Sequence, residues 1–212
     1  TPYRLLQSVG AHIDRLRPCK HVDARRTLLN EELTPYAGQS LALAVEQRIA
    51  QGYKSGRKIR KDARKALGVV LSASHARMKE IEGDADCFAL WKAANYRFAC
   101  DHFGEENLVR FTVHRDERTP HIHCVFVPIT PDGRLSAKHF IGGKAYGAGR
   151  EKLRAYQSAY AKAMQAFGLS RALPSTAAKA AQRAAPPYSL LPAAGVRLRA
   201  AVPDTTLNPY YR

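Results

Sequence analysis

The run His114-Arg115-Asp116-Glu117-Arg118-Thr119-Pro120-His121-Ile122-His123 concentrates three histidines and two carboxylates in ten residues. His121 and His123 are two apart, so on a β-strand both imidazoles leave the same face. Leu108 to His114 and His121 to Pro128 read as two strands joined by the polar connection Arg115 to Pro120, a hairpin that returns His114 beside the other two histidines. Alternation puts Val109, Phe111 and Val113, with Ile122, Cys124 and Phe126, on one face and the three histidines on the opposite one. A His-x-His pair alone is ordinary sheet surface; His114 and Glu117 in the same hairpin make it a candidate centre. Three neutral imidazoles with open coordination positions suit a divalent cation such as Mn, Zn, Co or Ni, with water or a phosphate oxygen completing the shell.

These residues need a frame. Cys87, Leu90, Trp91, Ala94 and Phe98 recur at helical spacing between Asp84 and Gly104, which suit the two caps. Leu153, Tyr156, Tyr160, Ala163 and Phe167 define a second amphipathic helix closed by Gly168. Leu41, Val45 and Ile49 indicate a short helix after a long irregular stretch from His12 to Thr34. Tyr3 to Val9, ending before Gly10, reads as a first strand, and Ala66 to Ser72 as a buried strand. Pro131, Asp132 and Gly133 make a turn. From Pro174 onward the composition shifts to Ala, Pro and scattered Arg, predicting a domain over residues 1–173 and a poorly structured tail or linker over 174–212.

Charge narrows the partner. Among 212 residues, 34 Lys and Arg face 18 Asp and Glu, a formal net charge of +16 that is most readily relieved by a polyanion. Seven cations lie within twelve residues from Lys54 to Lys65, against the single acid Asp62. No apolar stretch approaches the roughly 18 residues of a membrane span, which excludes membrane insertion. The N-terminus lacks a signal-peptide pattern and the four cysteines form no CxxC pair, so the expectation is a reduced, cytoplasmic protein. A second cluster, His12-Ile13-Asp14-Arg15, follows the first predicted strand. His21, His75, His102 and His139 have no partner that spacing can name.

On these residues the chain resembles the Mob/Pre relaxases, plasmid mobilisation and recombination proteins of the HUH endonuclease superfamily. His114, Asp116, Glu117, Pro120, His121 and His123 meet the family pattern HxDExxPHxH in full. His12 to Arg15 is similar to its HNxR segment, Leu29 to Leu33 to its LNYEL segment, and Arg57 to Ala63 to its RxIRKDA. The four motifs keep the family's order over about residues 3–170. Ile13 stands where the family usually has Asn, and Glu31 where it usually has Tyr. The spacing between the first two motifs is also shorter.

The resemblance implies an α+β fold: a central antiparallel sheet with helices on one face and the histidine metal site on the other. It implies site- and strand-specific nicking of plasmid DNA at an origin of transfer, the protein remaining on the 5′ phosphate. The cofactor is then a divalent ion held by His114, His121 and His123, Mn first, with Mg, Zn, Co and Ni as alternatives. The resemblance carries a nucleophilic role onto His12 and a phosphate-orienting role onto Arg15. Tyrosine is the superfamily's commoner nucleophile; Tyr3 and Tyr36 flank the segment but fall on no motif position. Glu117 is a general base toward His12 or an acceptor holding a ligand histidine. Arg26, Arg57, Arg60 and Lys61 would hold the single strand electrostatically. A conjugation coupling protein is a further partner of such an enzyme. Two other classes fit part of the pattern: a metal phosphodiesterase using water, and a basic DNA-binding module without catalysis.

Overall fold

The computed structural model describes residues 2–142 and 147–171, with side chains from Leu6 onward. The expected tail over 174–212 lies outside the described residues. Four strands, β1 (Glu31–Glu32), β2 (Leu67–Leu71), β3 (Leu108–His114) and β4 (His121–Phe126), form one sheet in the order β1-β3-β4-β2, every pairing antiparallel. Six α-helices accompany it: α1 (Pro2–Ile13), α2 (Leu41–Gly52), α3 (His75–Gly83), α4 (Ala85–Phe103), α5 (Ala137–Ile141) and α6 (Ala148–Ala163).

The expected α+β architecture is present. α4 starts where the Asp84 carboxylate accepts the Cys87 N–H and stops at Gly104, whose φ of +83° a side chain would resist. Its Trp91, Phe98 and Phe103 pack with Met78 and Ile81 of α3 on Phe111, Val113, Ile122, Cys124 and Phe126 of the sheet. Tyr156 and Tyr160 of α6 close this layer, and Gly168 (φ +68°) ends the 3-10 turn after it.

Three expectations fail in detail. Tyr3 to Val9 is helix, not strand: within α1, Leu6 and Ile13, seven residues apart, pack with Leu41, Ala44 and Val45 of α2. Gly10 lets α1 approach, since a Cβ there would lie 2.9 Å from the Leu41 Cβ. β2 is an edge strand with alternating burial rather than a buried one, leaving Val70 60% exposed. Finally, the β3–β4 register shifts between Leu108 and Arg110, and such a bulge turns the residues before it to the other face. Val109 therefore leaves the Phe111 face and joins Val125, Val127 and Ile129 under α1 and α2. The histidine face is thus divided, with an apolar end covered by α1 and α2 and a polar end at the hairpin loop.

Candidate active site

His114 and His121 are register partners next to the hairpin loop, and His123 opposes Thr112 one step further along. Ring nitrogens of all three histidines come within 4.8 Å of one another, with ring centroids 4.8 to 5.2 Å apart. Backbone carbonyls fix the tautomers, because a carbonyl only accepts. His114 Nε2 lies 2.9 Å from the Ile13 carbonyl and so donates to it, leaving Nδ1 with the lone pair. His121 Nδ1 likewise donates to the Thr119 carbonyl at 2.9 Å, leaving Nε2, which faces His123 Nε2 across 3.1 Å.

Burial keeps two of these rings, those of His114 and His123, neutral. It lowers the His114 pKa to about 4, with Arg15 adding to the effect, and lowers that of His123 to about 3, reinforced by His114 and His121. Three imidazole nitrogens converging in this way fit a divalent cation. The fit must reckon with Arg15, whose Nη2 also lies 2.9 Å from His114 Nδ1. That nitrogen carries two protons but faces three acceptors, the others being Asp116 Oδ1 at 2.7 Å and Glu117 Oε1 at 2.8 Å. Charged acceptors hold a guanidinium proton better than a neutral ring does, so the His114 lone pair is the one that can be released to a metal.

The N-terminal segment supplies the rest. His12, in the last turn of α1, stands edge-on to His123 with ring centroids 5.4 Å apart and lies 6.2 Å from His114. Its Nδ1 is 3.9 Å from Cys19 Sγ, which leaves Nε2 as the free nitrogen. Burial, followed by Arg15, lowers the His12 pKa and favours the neutral ring. Just past the helix, Arg15 takes a left-handed φ of +52° and turns its fork into the hairpin. Nε and Nη2 hold Asp116 in two-pronged fashion at 2.9 and 2.7 Å, while Nη1 caps the His12 carbonyl at 3.0 Å. Burial works against the charges of Asp116 and Glu117, yet the Arg15 hydrogen bonds prevail and both carboxyl pKa values fall.

Asp116 organises more than the motif alone indicates. Its buried carboxylate also accepts from Thr27 Oγ1 at 3.1 Å and Asn30 Nδ2 at 2.7 Å, and its carbonyl accepts the Asp23 N–H at 2.8 Å. The Asn30 Oδ1 returns to the Arg115 N–H at 2.8 Å. One side chain thereby ties residues 15 to 30 to the hairpin loop.

The expected DNA-binding residues divide. Arg26 lies near this centre and pairs with Glu82 at 2.8 Å, a carboxylate it shares with Arg115 at 3.1 Å. Arg57, Arg60 and Lys61 belong to an exposed segment whose start is fixed by Lys54 N–H donating to the Gly133 carbonyl, at the opposite end of β4 from His121. There Arg60 pairs with Asp62 at 2.6 Å. The structure does not bring these three to the histidines. It does bring His21, for which spacing named no partner: its ring centroid is 6.1 Å from that of His12, and its Nε2 is 3.7 Å from Glu117 Oε2. The only sequence signal was its place in a long irregular segment, where function concentrates.

Residues 6–183 match the Mob_Pre family model, described as plasmid recombination enzyme. The chain belongs to the Mob/Pre family. Among Mob/Pre relatives, the plasmid recombination enzyme type 3 of Staphylococcus aureus is 37% identical over 124 residues, which are 58% of this chain and 29% of its own length. A 65 kDa protein of Zymomonas mobilis subsp. mobilis is 30% identical over 167 residues, 78% of this chain and 27% of its own. The chain therefore spans less than a third of the length of these curated relatives. The Mn-bound crystal structure of the MobM relaxase domain with plasmid pMV158 oriT DNA at pH 4.6 superposes with a TM-score of 0.68 at 26% identity, covering 79% of this chain and 84% of that one. Another crystal structure, at pH 5.5, gives 0.70 at 24% identity over 86% and 94%. Among the described residues, no helix is long and apolar enough to cross a membrane.

Proposed function

We propose that this chain is the nicking domain of a plasmid mobilisation relaxase, cutting one strand at an origin of transfer by transesterification and staying attached to the 5′ phosphate. One observation carries the reading: a neutral histidine from α1 stands against a three-histidine cluster with its Nε2 free. A water-using phosphodiesterase needs the cluster but has no need of that ring.

A divalent cation on His114, His121 and His123, Mn first, would supply Lewis-acid charge to the non-bridging oxygens of the scissile phosphate. His12 Nε2 attacks phosphorus in line, the bond to the 3′ oxygen breaks, and a phosphoramidate forms. Arg15 acts here by holding Asp116, Glu117 and the His12 carbonyl in place with four of its five N–H groups, which leaves one Nη1 proton to orient the phosphate. Glu117 balances the cationic surroundings of the nucleophile. Arg26, close to the centre, and Arg57, Arg60 and Lys61, further along the surface, hold the single strand through its phosphates. The MobM relaxase domain structures were bound to oriT DNA and Mn, which supports both the partner and the ion. Residues 1–173 form the nicking domain and 174–212 a Pro- and Ala-rich tail or linker. The role belongs in the cytoplasm, with a coupling protein as second partner.

The test is covalent capture. The protein is incubated with Mn and a randomised single-stranded library, resolved on a denaturing gel, and the adduct is mapped by mass spectrometry and sequencing. The expected result is one strand sequence on His12 through an acid-labile bond. Cleavage without an adduct would instead make water the nucleophile. An acid-stable adduct on Tyr3 or Tyr36 would move the role to tyrosine.

A further inference from the structure

Attack by His12 leaves one requirement unassigned, because the departing 3′ oxygen is an alkoxide unless something protonates it. We propose that His21 is that general acid, an inference that rests on the nicking reading above. His21 is placed rather than adrift. The Val22 N–H donates to the Cys19 carbonyl at 3.2 Å, and the Asp23 N–H to the Asp116 carbonyl at 2.8 Å, so both following residues are fixed to the loop or the hairpin. Its Nε2 lies 3.7 Å from Glu117 Oε2, which places the ring beside the hairpin carboxylate. Glu117 is itself kept ionised by Arg15 Nη2 at 2.8 Å.

The geometry suits a division of labour. The His12 and His21 ring centroids are 6.1 Å apart and the rings are inclined by 39°, so a second imidazole stands beside the nucleophile. His12 is drawn toward neutrality by burial and Arg15, whereas the His21 side chain is 61% exposed and sits on a carboxylate. The partly buried ring suits the nucleophile, and the solvent-open ring suits the group that must exchange a proton.

Bonds and protons balance. The Nε2 lone pair of His12 forms the N–P bond, the P–O3′ pair leaves with the oxygen, and the His21 proton passes to that oxygen to give a 3′ hydroxyl. His12 keeps its Nδ1 proton throughout. Neutral His21 recovers a proton from solvent, to which it is open. Run backwards, the same group takes the proton from an incoming 3′ hydroxyl, so strand joining depends on it as nicking does.

The decisive experiment changes the leaving atom. The captured strand is prepared with its natural 3′ oxygen and with a bridging 3′ sulfur at the cleaved position, since a thiolate leaves without a proton. Single-turnover adduct formation is measured for the wild type and for His21→Gln and His21→Ala, with the same divalent ion throughout and thermal midpoints recorded. On the oxygen strand both variants should lose about 100-fold. On the sulfur strand they should form adduct at close to the wild-type rate. Equal loss on both strands would make His21 a positioning or structural residue, and no loss on either would remove it from the reaction; both outcomes overturn the proposal while the nicking reading stands. If the wild type forms no adduct with either strand, both fall.

Discussion

The two regions that build the site differ in how they are held. The β3–β4 hairpin carries its three histidines on two rungs of one ladder, with the Val113–Ile122 pair between them, so a local register fixes their spacing. The segment from His12 to Asn30 has no such ladder. It reaches the hairpin through hydrogen bonds between residues some 85 to 100 positions apart, most of them ending on Asp116, Glu117 or His114 and the others on Arg110 and Arg115. The candidate metal ligands are thus built into the sheet itself, while the proposed nucleophile and proton donor sit on a tethered segment. Damage to the first should remove the chemistry, and damage to the second should misplace it.

The hairpin gives the largest expected effect. His121→Ala and His123→Ala should each reduce nicking by on the order of 1000-fold, the several kcal/mol that a Lewis acid supplies, and leave strand binding nearly unchanged. EDTA should do the same to the wild type, and Mn should reverse it; full activity of the chelated protein would end the metal assignment.

Cutting the tether comes next. Asp116→Ala leaves Arg15 with Glu117 as its one carboxylate partner, removes the acceptor of Thr27 and Asn30, and should cost about 3 kcal/mol in urea unfolding. Because His12 moves with the segment, adduct formation should also fall by roughly 100-fold, although no ligand histidine has changed. Asn30→Ala, which removes one bond to Asp116 and another from the Arg115 N–H, should cost about 1 to 2 kcal/mol. If Asp116→Ala nicks normally, the segment is not held as described.

Protons probe the hairpin more gently. His114 and His123 have folded pKa values below the free histidine value, so the unfolded chain binds protons that the folded chain refuses. In EDTA, stability should therefore be complete above about pH 6.5 and fall as pH drops toward about 4. The slope approaches about 1.4 kcal/mol per pH unit for each ring. Asn substitution of either histidine should flatten that slope, a change that chemical unfolding as a function of pH would reveal.

The smallest effect concerns neither region. Arg57→Ala with Arg60→Ala, far along the sheet from the histidines, should reduce the slope of log affinity against log salt by about 0.7 to 0.9 for each phosphate that is no longer neutralised. An unchanged slope would make the segment a solvated face.

The same contrast explains what could be read from sequence. The hairpin and its histidine face were legible because strand alternation is local, and α4 because Asp84 and Gly104 mark its ends within one apolar period. The tethered region was not. Tyr3 to Val9 is too short for alternation to be told from a helical face, and only Leu6 and Ile13 meeting α2 decides between them. Nor can alternation anticipate the bulge that moves Val109 to the other face. His21 gained a meaning only when the chain folded back on Glu117, and the reach of Asp116 to Thr27 and Asn30 is equally invisible without tertiary structure.

Arg15 closes α1 in a backbone conformation that costs an ordinary residue about 1 kcal/mol and is natural to glycine. Glycine there would relax the main chain and abolish the fork; lysine would keep a charge and lose the two-pronged grip; asparagine would suit the backbone but reach neither carboxylate. Position 15 therefore has no neutral exit by single substitution. Sequence drift has to pass around it, and a small molecule that competed for this guanidinium would meet little resistance arising at its own binding residue.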